Sequence, residues 1–239
     1  MPALGSRVAG AAARLLLKSA TVASVVDHGP LRTIELAGRA LEQVTWVPGD
    51  KCRIYLDGFD LRTYTPTRWD PAEGRTQLLA FVHGSGPGAV WSEAVGPGDS
   101  CLLFGPQRSL RLDQFASPPI FVGDETSFGL AVAWRTHRPD QPPVAELFEV
   151  TDAAAVAPAL THHAVEPTAL VERQPDDGHV AILAARVAEQ VRSHPDAPVC
   201  LTGRAQTIAA VRRQLKQDGL TARDTKVKAY WDPNRTGLD

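Results

Sequence analysis

The sequence has little sulfur and no long apolar run. Three cysteines, Cys52, Cys101 and Cys200, and one methionine are spread over 239 residues. An odd number of distant cysteines argues against a disulfide scaffold, a zinc ribbon and an iron–sulfur cluster. Each falls in a strand-like stretch ("KCRIYL", "DSCLLF", "APVCLTG") and is expected to be a buried thiol in a protein of the reducing cytoplasm. No segment approaches the roughly 20 apolar residues of a membrane span, so no membrane insertion is expected. The stretch "GSRVAGAAARLLLKSATV" lacks acidic residues, but its apolar run is too short for a signal sequence. A short amphipathic helix leading into the first strand is expected there. A basic excess is also missing: 25 Lys and Arg face 27 Asp and Glu, for a formal net charge of −2. With no Lys/Arg stripe either, nucleic acid is not expected as a partner.

What is present falls into two halves with different periodicity. From residue 19 to 116 short segments rich in Val, Ile, Leu, Thr and Tyr alternate with turns such as "HGP", "VPGD" and "DPAEG". Six strands are expected, with one helical piece from Pro87 to Val95, and the spacing suits an antiparallel Greek-key β-barrel. After "ASPP" strands alternate with helices. "IFVGD", "VAELFEV", "TALVER", "APVCLTG" and "TKVKAYW" are five strands, each of the first four followed by a helical pattern, and Asp152 is placed as a helix N-cap. That grammar predicts a doubly wound parallel five-stranded α/β sheet. The expected division is residues 1–116 and 117–239.

Two motifs in the first half carry chemistry. The stretch "RTYTPTRWDP" begins at Arg62. One reading is an edge strand that Pro66 stops from pairing further. The other is a flat ligand lying against Tyr64, with Arg62 forked onto an anionic tail and the Thr65 hydroxyl within reach. Then comes "FVHGSGPGAVWSEAVGPGD", in which a strand ends at His83 and Gly84 and a helix opens near Gly88 and Ala89. Free N–H groups and the positive end of the helix dipole make such an opening a phosphate site. A hairpin loop with a packed Trp91 is the alternative.

The ordered set "RTYTP…DP…G…FVHG…GP…W…GD…GP", followed by "FVGDETS", "FEV", "CLTG" and "KAYW", resembles the siderophore-interacting protein family of flavin-dependent ferric-siderophore reductases. The resemblance implies FAD in the barrel, NADH or NADPH on the parallel sheet, and a ferric siderophore or other ferric chelate as electron acceptor. It implies flavin contacts at Arg62, Tyr64 and Thr65, and at His83 and Gly84 along the ribityl or adenosine part. Ala89, Val90, Trp91 and Ser92 would form the phosphate-binding helix start. Asp124, Glu125, Thr126 and Ser127 would lie between flavin and nicotinamide, with Thr65 and Thr126 nearest the chemistry. Tyr230 and Trp231 would end the last strand on the cofactor edge, with Lys228 and Arg235 as a basic patch for an anionic chelate. The sequence departs from the family at Thr67, where a second arginine is common, and at Asp232, which follows Tyr230 and Trp231 in place of arginine.

Other residues are expected to be structural. His162 and His163 resemble a metal pair, but adjacent helical residues point about 100° apart, so a solvated helix end is expected, and His137 ends another helix. Ser109 has no histidine and acid at triad spacing. Glu149, near the end of the second parallel strand, could touch a ribose or be a strand-end charge. A monomer or weak oligomer is expected. A flavin reductase serving a protein partner and a non-catalytic flavin- or siderophore-binding protein are the alternatives.

Overall fold

The computed structural model describes residues 17–56, 60–84, 86–222 and 224–233. The expected N-terminal helix and Arg235 lie outside the described residues. The first half forms a seven-stranded antiparallel sheet: β1 (Lys18–His28), β2 (Leu31–Ala37), β3 (Lys51–Leu56), β4 (Asp60–Tyr64), β5 (Pro66–Asp70), β6 (Arg75–Phe81) and β7 (Ser100–Gln107). Their order is β4-β3-β7-β1-β2-β6-β5. Helix α1 (Pro87–Ala94) stands between β6 and β7.

The strand beyond the expected six comes from "RTYTPTRWDP", which makes two strands rather than one. β4 ends at Tyr64, paired with Cys52 of β3, and β5 opens at Pro66, paired with Leu78 of β6. Pro66 therefore starts a strand instead of ending the pairing. A proline is tolerated at a strand's first residue, where its missing N–H breaks least of the ladder. Because β4 and β5 lie at opposite ends of the strand order, Thr65 is where the chain crosses from one edge to the other and closes the barrel. Ile34, Leu36, Cys52, Ile54, Leu78 and Leu103 fill the interior. Their alternation along each strand is the period-2 signal visible in the sequence.

The second half is parallel throughout: β8 (Ile120–Gly123), β9 (Ala145–Val150), β10 (Ala169–Glu172), β11 (Val199–Arg204) and β12 (Lys226–Trp231), in the order β10-β9-β8-β11-β12. Helices α2 (Phe128–His137) and α3 (Ala153–His162) pack with one face of the sheet, and α4 (Gly178–Ser193) and α5 (Ala205–Gln217) with the other. The Asp152 side chain caps α3 by accepting from the Ala155 N–H at 2.9 Å. Leu183, Val187 and Val191 of α4 meet Ile208, Val211 and Leu215 of α5 over the strands, as their spacing predicts. Cys52, Cys101 and Cys200 are all buried.

The two sheets share a core. Leu31 and Leu79 of the barrel cluster with Phe128, Val132, Phe148 and Leu160. A Cβ on Gly129, in the first turn of α2, would stand 3.0 Å from the Thr65 carbonyl oxygen, so the barrel's closing residue lies directly against that helix. The "VPGD" turn is fixed in the same way. Gly49 has φ 92°, and a Cβ there would come within 1.6 Å of the Leu110 carbonyl oxygen. Gly49→Ala is therefore expected to cost at least about 3 kcal/mol, from left-handed strain plus a backbone clash. Chemical denaturation of both proteins measures it, and a loss within the ordinary surface range of about 0.5 kcal/mol would contradict this account.

Candidate flavin and nucleotide site

Helix α1 begins with Gly86 as N-cap and Pro87 in its first turn, and no side chain among the described residues caps it. The N–H groups of that turn are left for an external acceptor. Arg62 lies beside them: a Cβ on Gly88 would be 3.2 Å from the Arg62 Cγ, so the arginine stem passes close over the helix start. The Arg62 guanidinium is forked onto Asp60, with Nη2 donating to Oδ2 at 2.7 Å, and Nη1 also donates to the Leu61 carbonyl at 3.0 Å. This pair is over one-third exposed, so an incoming phosphate competes with Asp60 for the fork at little cost. The Tyr64 ring lies 5.7 Å from that of Trp91, and burial pushes its phenol well above the usual range. Ser92 is buried and donates to the Ala89 carbonyl at 3.0 Å, while Val90 is exposed. His83 stacks on Phe81 with ring centroids 4.7 Å apart, and Gly84 follows with φ 63°. An uncapped helix start, a fork beside it and an aromatic pair fit the pyrophosphate and ring of a flavin dinucleotide.

The "GDETS" stretch follows β8 at the carboxyl edge of the parallel sheet, where such sheets bind nucleotides. Its side chains divide sharply. Asp124 is fully buried; its Oδ1 accepts from the Thr126 N–H at 2.9 Å and from the Thr126 hydroxyl, and its Oδ2 accepts from the Trp231 indole at 2.7 Å. Desolvation outweighs these donors and raises the Asp124 pKa. Glu125 is buried and accepts two bonds from Arg173, at 2.9 and 2.6 Å, besides two from Thr151. Ser127 accepts from the Thr202 hydroxyl at 2.8 Å. Of the four residues expected between flavin and nicotinamide, the side chains of Asp124, Glu125 and Ser127 turn inward, and Thr126 is exposed.

The expectation at Glu149 is corrected. It is buried, accepts from the Thr207 hydroxyl at 2.8 Å and lies 3.0 Å from His179 Nε2. The Gln174 N–H donates to His179 Nδ1 at 3.1 Å, so Nε2 is the nitrogen that donates to Glu149. Glu149 thus clamps α4 and α5 to β9 and has no surface for a ribose. His162 and His163 are not simply solvated: His162 stacks on His28 of the barrel at 3.7 Å, and His163 lies 3.3 Å from the Thr33 hydroxyl.

On β12, the guanidinium groups of Arg173 and Arg204 both lie over the Trp231 ring, each 5.8 Å from its centroid. Arg204 is itself forked onto Asp177, at 2.6 and 3.0 Å. Tyr230 packs beside Phe115 and Trp134, and Lys228 is half-buried. Sequence reasoning missed Arg173 and Arg204. Their only local signal was the strand end, since their partners lie 48 and 27 residues away in the chain.

A closed antiparallel barrel packed on a parallel sheet of this order is the ferredoxin-reductase-like architecture. Phthalate dioxygenase reductase, which transfers electrons from pyridine nucleotides to a [2Fe-2S] centre, superposes with a TM-score of 0.69 at 15% identity over 92% of this chain and 70% of its own. Residues 30–110 match the siderophore-interacting FAD-binding domain and residues 116–234 the siderophore-interacting protein model. The chain belongs to the siderophore-interacting protein family and carries an FAD-binding domain. A siderophore utilization protein from T. fusca is 25% identical, with a TM-score of 0.74 over 94% of this chain and 96% of that one. Siderophore-interacting protein SipS from Aeromonas hydrophila is 20% identical, with a TM-score of 0.67 over 92% and 93%. No curated protein matches the chain.

Asp124 gives a signed prediction. Its pKa is higher folded than unfolded, so its contribution to stability is complete below about pH 4 and is lost as pH rises through the folded value. Asp124→Asn abolishes that titration but presents an amide to partners that are all donors, so the variant is less stable in acid. The gap in melting temperature between the two proteins should narrow as pH rises from about 4. A gap that widens would show that the carboxylate, not the acid, is the favoured form.

Proposed function

We propose that this protein is a flavin-dependent reductase that takes hydride from NADH or NADPH and delivers electrons singly to a ferric siderophore. Residues 1–116 would hold FAD and residues 117–239 would present the nucleotide. FAD, when bound, accepts the two electrons of a hydride and releases them one at a time, as a one-electron acceptor such as Fe(III) requires. The observation that carries the reading is Arg62 laid across Gly88 at the uncapped start of α1, beside the Tyr64 and Trp91 rings.

Each residue then has a role. Arg62 would exchange Asp60 for the pyrophosphate, assisted by the backbone N–H groups of Gly88 and Ala89, since that of Val90 is bonded to the Gly86 carbonyl. Tyr64 would support the ring, and the Thr65 hydroxyl, at the barrel's closure, would be the hydrogen-bond donor nearest its reactive edge. His83 and Gly84 border the ribityl or adenosine part. Thr126 borders the nicotinamide, held by its bond to Asp124. Trp231 closes that edge, and Lys228 draws in an anionic chelate. Reduction weakens the chelate, because hard oxygen donors hold Fe(II) less firmly than Fe(III).

The test is a purified yellow protein that NADPH or NADH bleaches anaerobically and a ferric siderophore reoxidises. Bleaching without reoxidation by any ferric chelate would point instead to a protein electron acceptor, and a yellow protein that neither nucleotide bleaches to a binding role. Arg62→Ala combined with Tyr64→Ala should give a folded, colourless protein; a full flavin spectrum from that variant would refute the site. Thr126→Trp should slow anaerobic flavin reduction at least about tenfold, as misplacement of reactants does, without releasing flavin. Stopped-flow absorbance measures this, and an unchanged rate would place the nicotinamide elsewhere.

A further inference from the structure

We propose that Arg32 is a positioning residue for the flavin phosphate site, acting from the opposite end of α1. Arg32 is the second residue of β2, paired with Asp27 of β1 and Ala80 of β6. It shares a strand face with Ile34 and Leu36, whose side chains enter the barrel core. From there its guanidinium reaches the last turn of α1. Nη1 donates to the Ser92 carbonyl and, at 2.6 Å, to the Glu93 carbonyl, while Nε donates to Asp27 at 2.5 Å. The Arg32 side chain is 16% exposed and its bond to the Ser92 carbonyl is part-buried, while Asp27 lies at the surface.

The physical argument joins three facts. The carbonyls of a helix's last turn have no partner within the helix and carry the negative end of its dipole, so a cation there is favourable. A helix of eight residues is only about 12 Å long, and a tilt of about 5° moves its far end by about 1 Å. A binding site tolerates about 0.5 Å of such error. α1 has no side-chain cap at its N-terminus and no basic residue in its own last turn. Val95 and Trp91 seat α1 on the barrel core, and Arg32 adds the polar tie at its last turn that aims the first-turn N–H groups. Asp27 in turn orients the guanidinium, so β1, β2 and α1 form one rigid unit at the barrel mouth.

This inference rests on the reading of the α1 N-terminus as the flavin phosphate site. It is tested by FAD titration of the apoprotein, followed by fluorescence quenching, for the wild type, Arg32→Met, Arg32→Lys, Arg62→Ala and the Arg32→Met/Arg62→Ala pair. Methionine keeps the buried stem and removes the donors. The expected result is about tenfold weaker FAD binding for Arg32→Met, the size of a lost charged hydrogen bond, and recovery to within about threefold for Arg32→Lys, which keeps the cation at α1's last turn. If Arg32 acts through the phosphate site, the double variant should bind FAD more tightly than the product of the two single losses implies. Strictly additive losses would show that Arg32 supports the fold without aiming the helix, and would overturn the inference. So would unchanged binding in Arg32→Met. Neither result touches the reading of the site, which fails only if wild-type protein binds no FAD or if Arg62→Ala binds it as well as wild type. Should Arg32→Met fail to fold, Arg32→Gln in the same cycle gives the same decision.

Discussion

The burial of α2 on every side is the constraint from which the arrangement follows. Phe128 through Trp134 are all buried, an all-round apolar surface that no helix on the outside of a protein would carry. One side packs with Phe148, Leu160 and the barrel's Leu31 and Leu79, and another with Phe115, Phe121 and Cys200. The helix is therefore a wall shared by both sheets. Since α2 starts where β8 ends, and its Gly129 lies against Thr65, the carboxyl edge of the parallel strands faces the closing residue of the barrel. That one contact brings the two halves of the site together.

Within this frame, polar burial makes the loop after β8 rigid. Asp124, Glu125 and Ser127 each spend their hydrogen-bonding capacity on distant parts of the chain: β12, the residues after β9 and β10, and β11. Glycine is required twice here. A Cβ on Gly123 would strike Ser127, and one on Gly203, at φ 90°, would strike Asp124 at 2.5 Å. The motif thus acts as a knot that holds Thr126 outward.

The fold was largely legible because both periodicities are strong: alternation is clear at the core positions of β2, β3 and β6, and the apolar faces of α4 and α5 meet as Leu183, Val187, Val191, Ile208, Val211 and Leu215. The Pro66 reversal was not legible, because a proline reads alike whether it ends one strand or opens the next; only the pairing with Leu78 distinguishes them. In the candidate site, the proximity of Arg62, Tyr64 and the α1 start was legible because their chemistry is local. The inward turn of Glu125 and Ser127 was not, because a motif names residue types and says nothing of direction. Arg32, Arg173 and Arg204 escaped notice for a related reason: what defines them is a partner far along the chain, 61 residues away for Glu93 and Arg32.

The bond between Trp231 and Asp124 joins residues 107 positions apart, linking the last parallel strand to the loop after the first. During synthesis Asp124 therefore leaves the ribosome long before its indole partner exists. At translation speeds of about 5–20 residues per second, the carboxyl group spends several seconds or more in water, without the burial that raises its pKa. The barrel strands, all made by then, have no such wait. The antiparallel half can thus close first, while the parallel half is sealed only when β12 emerges.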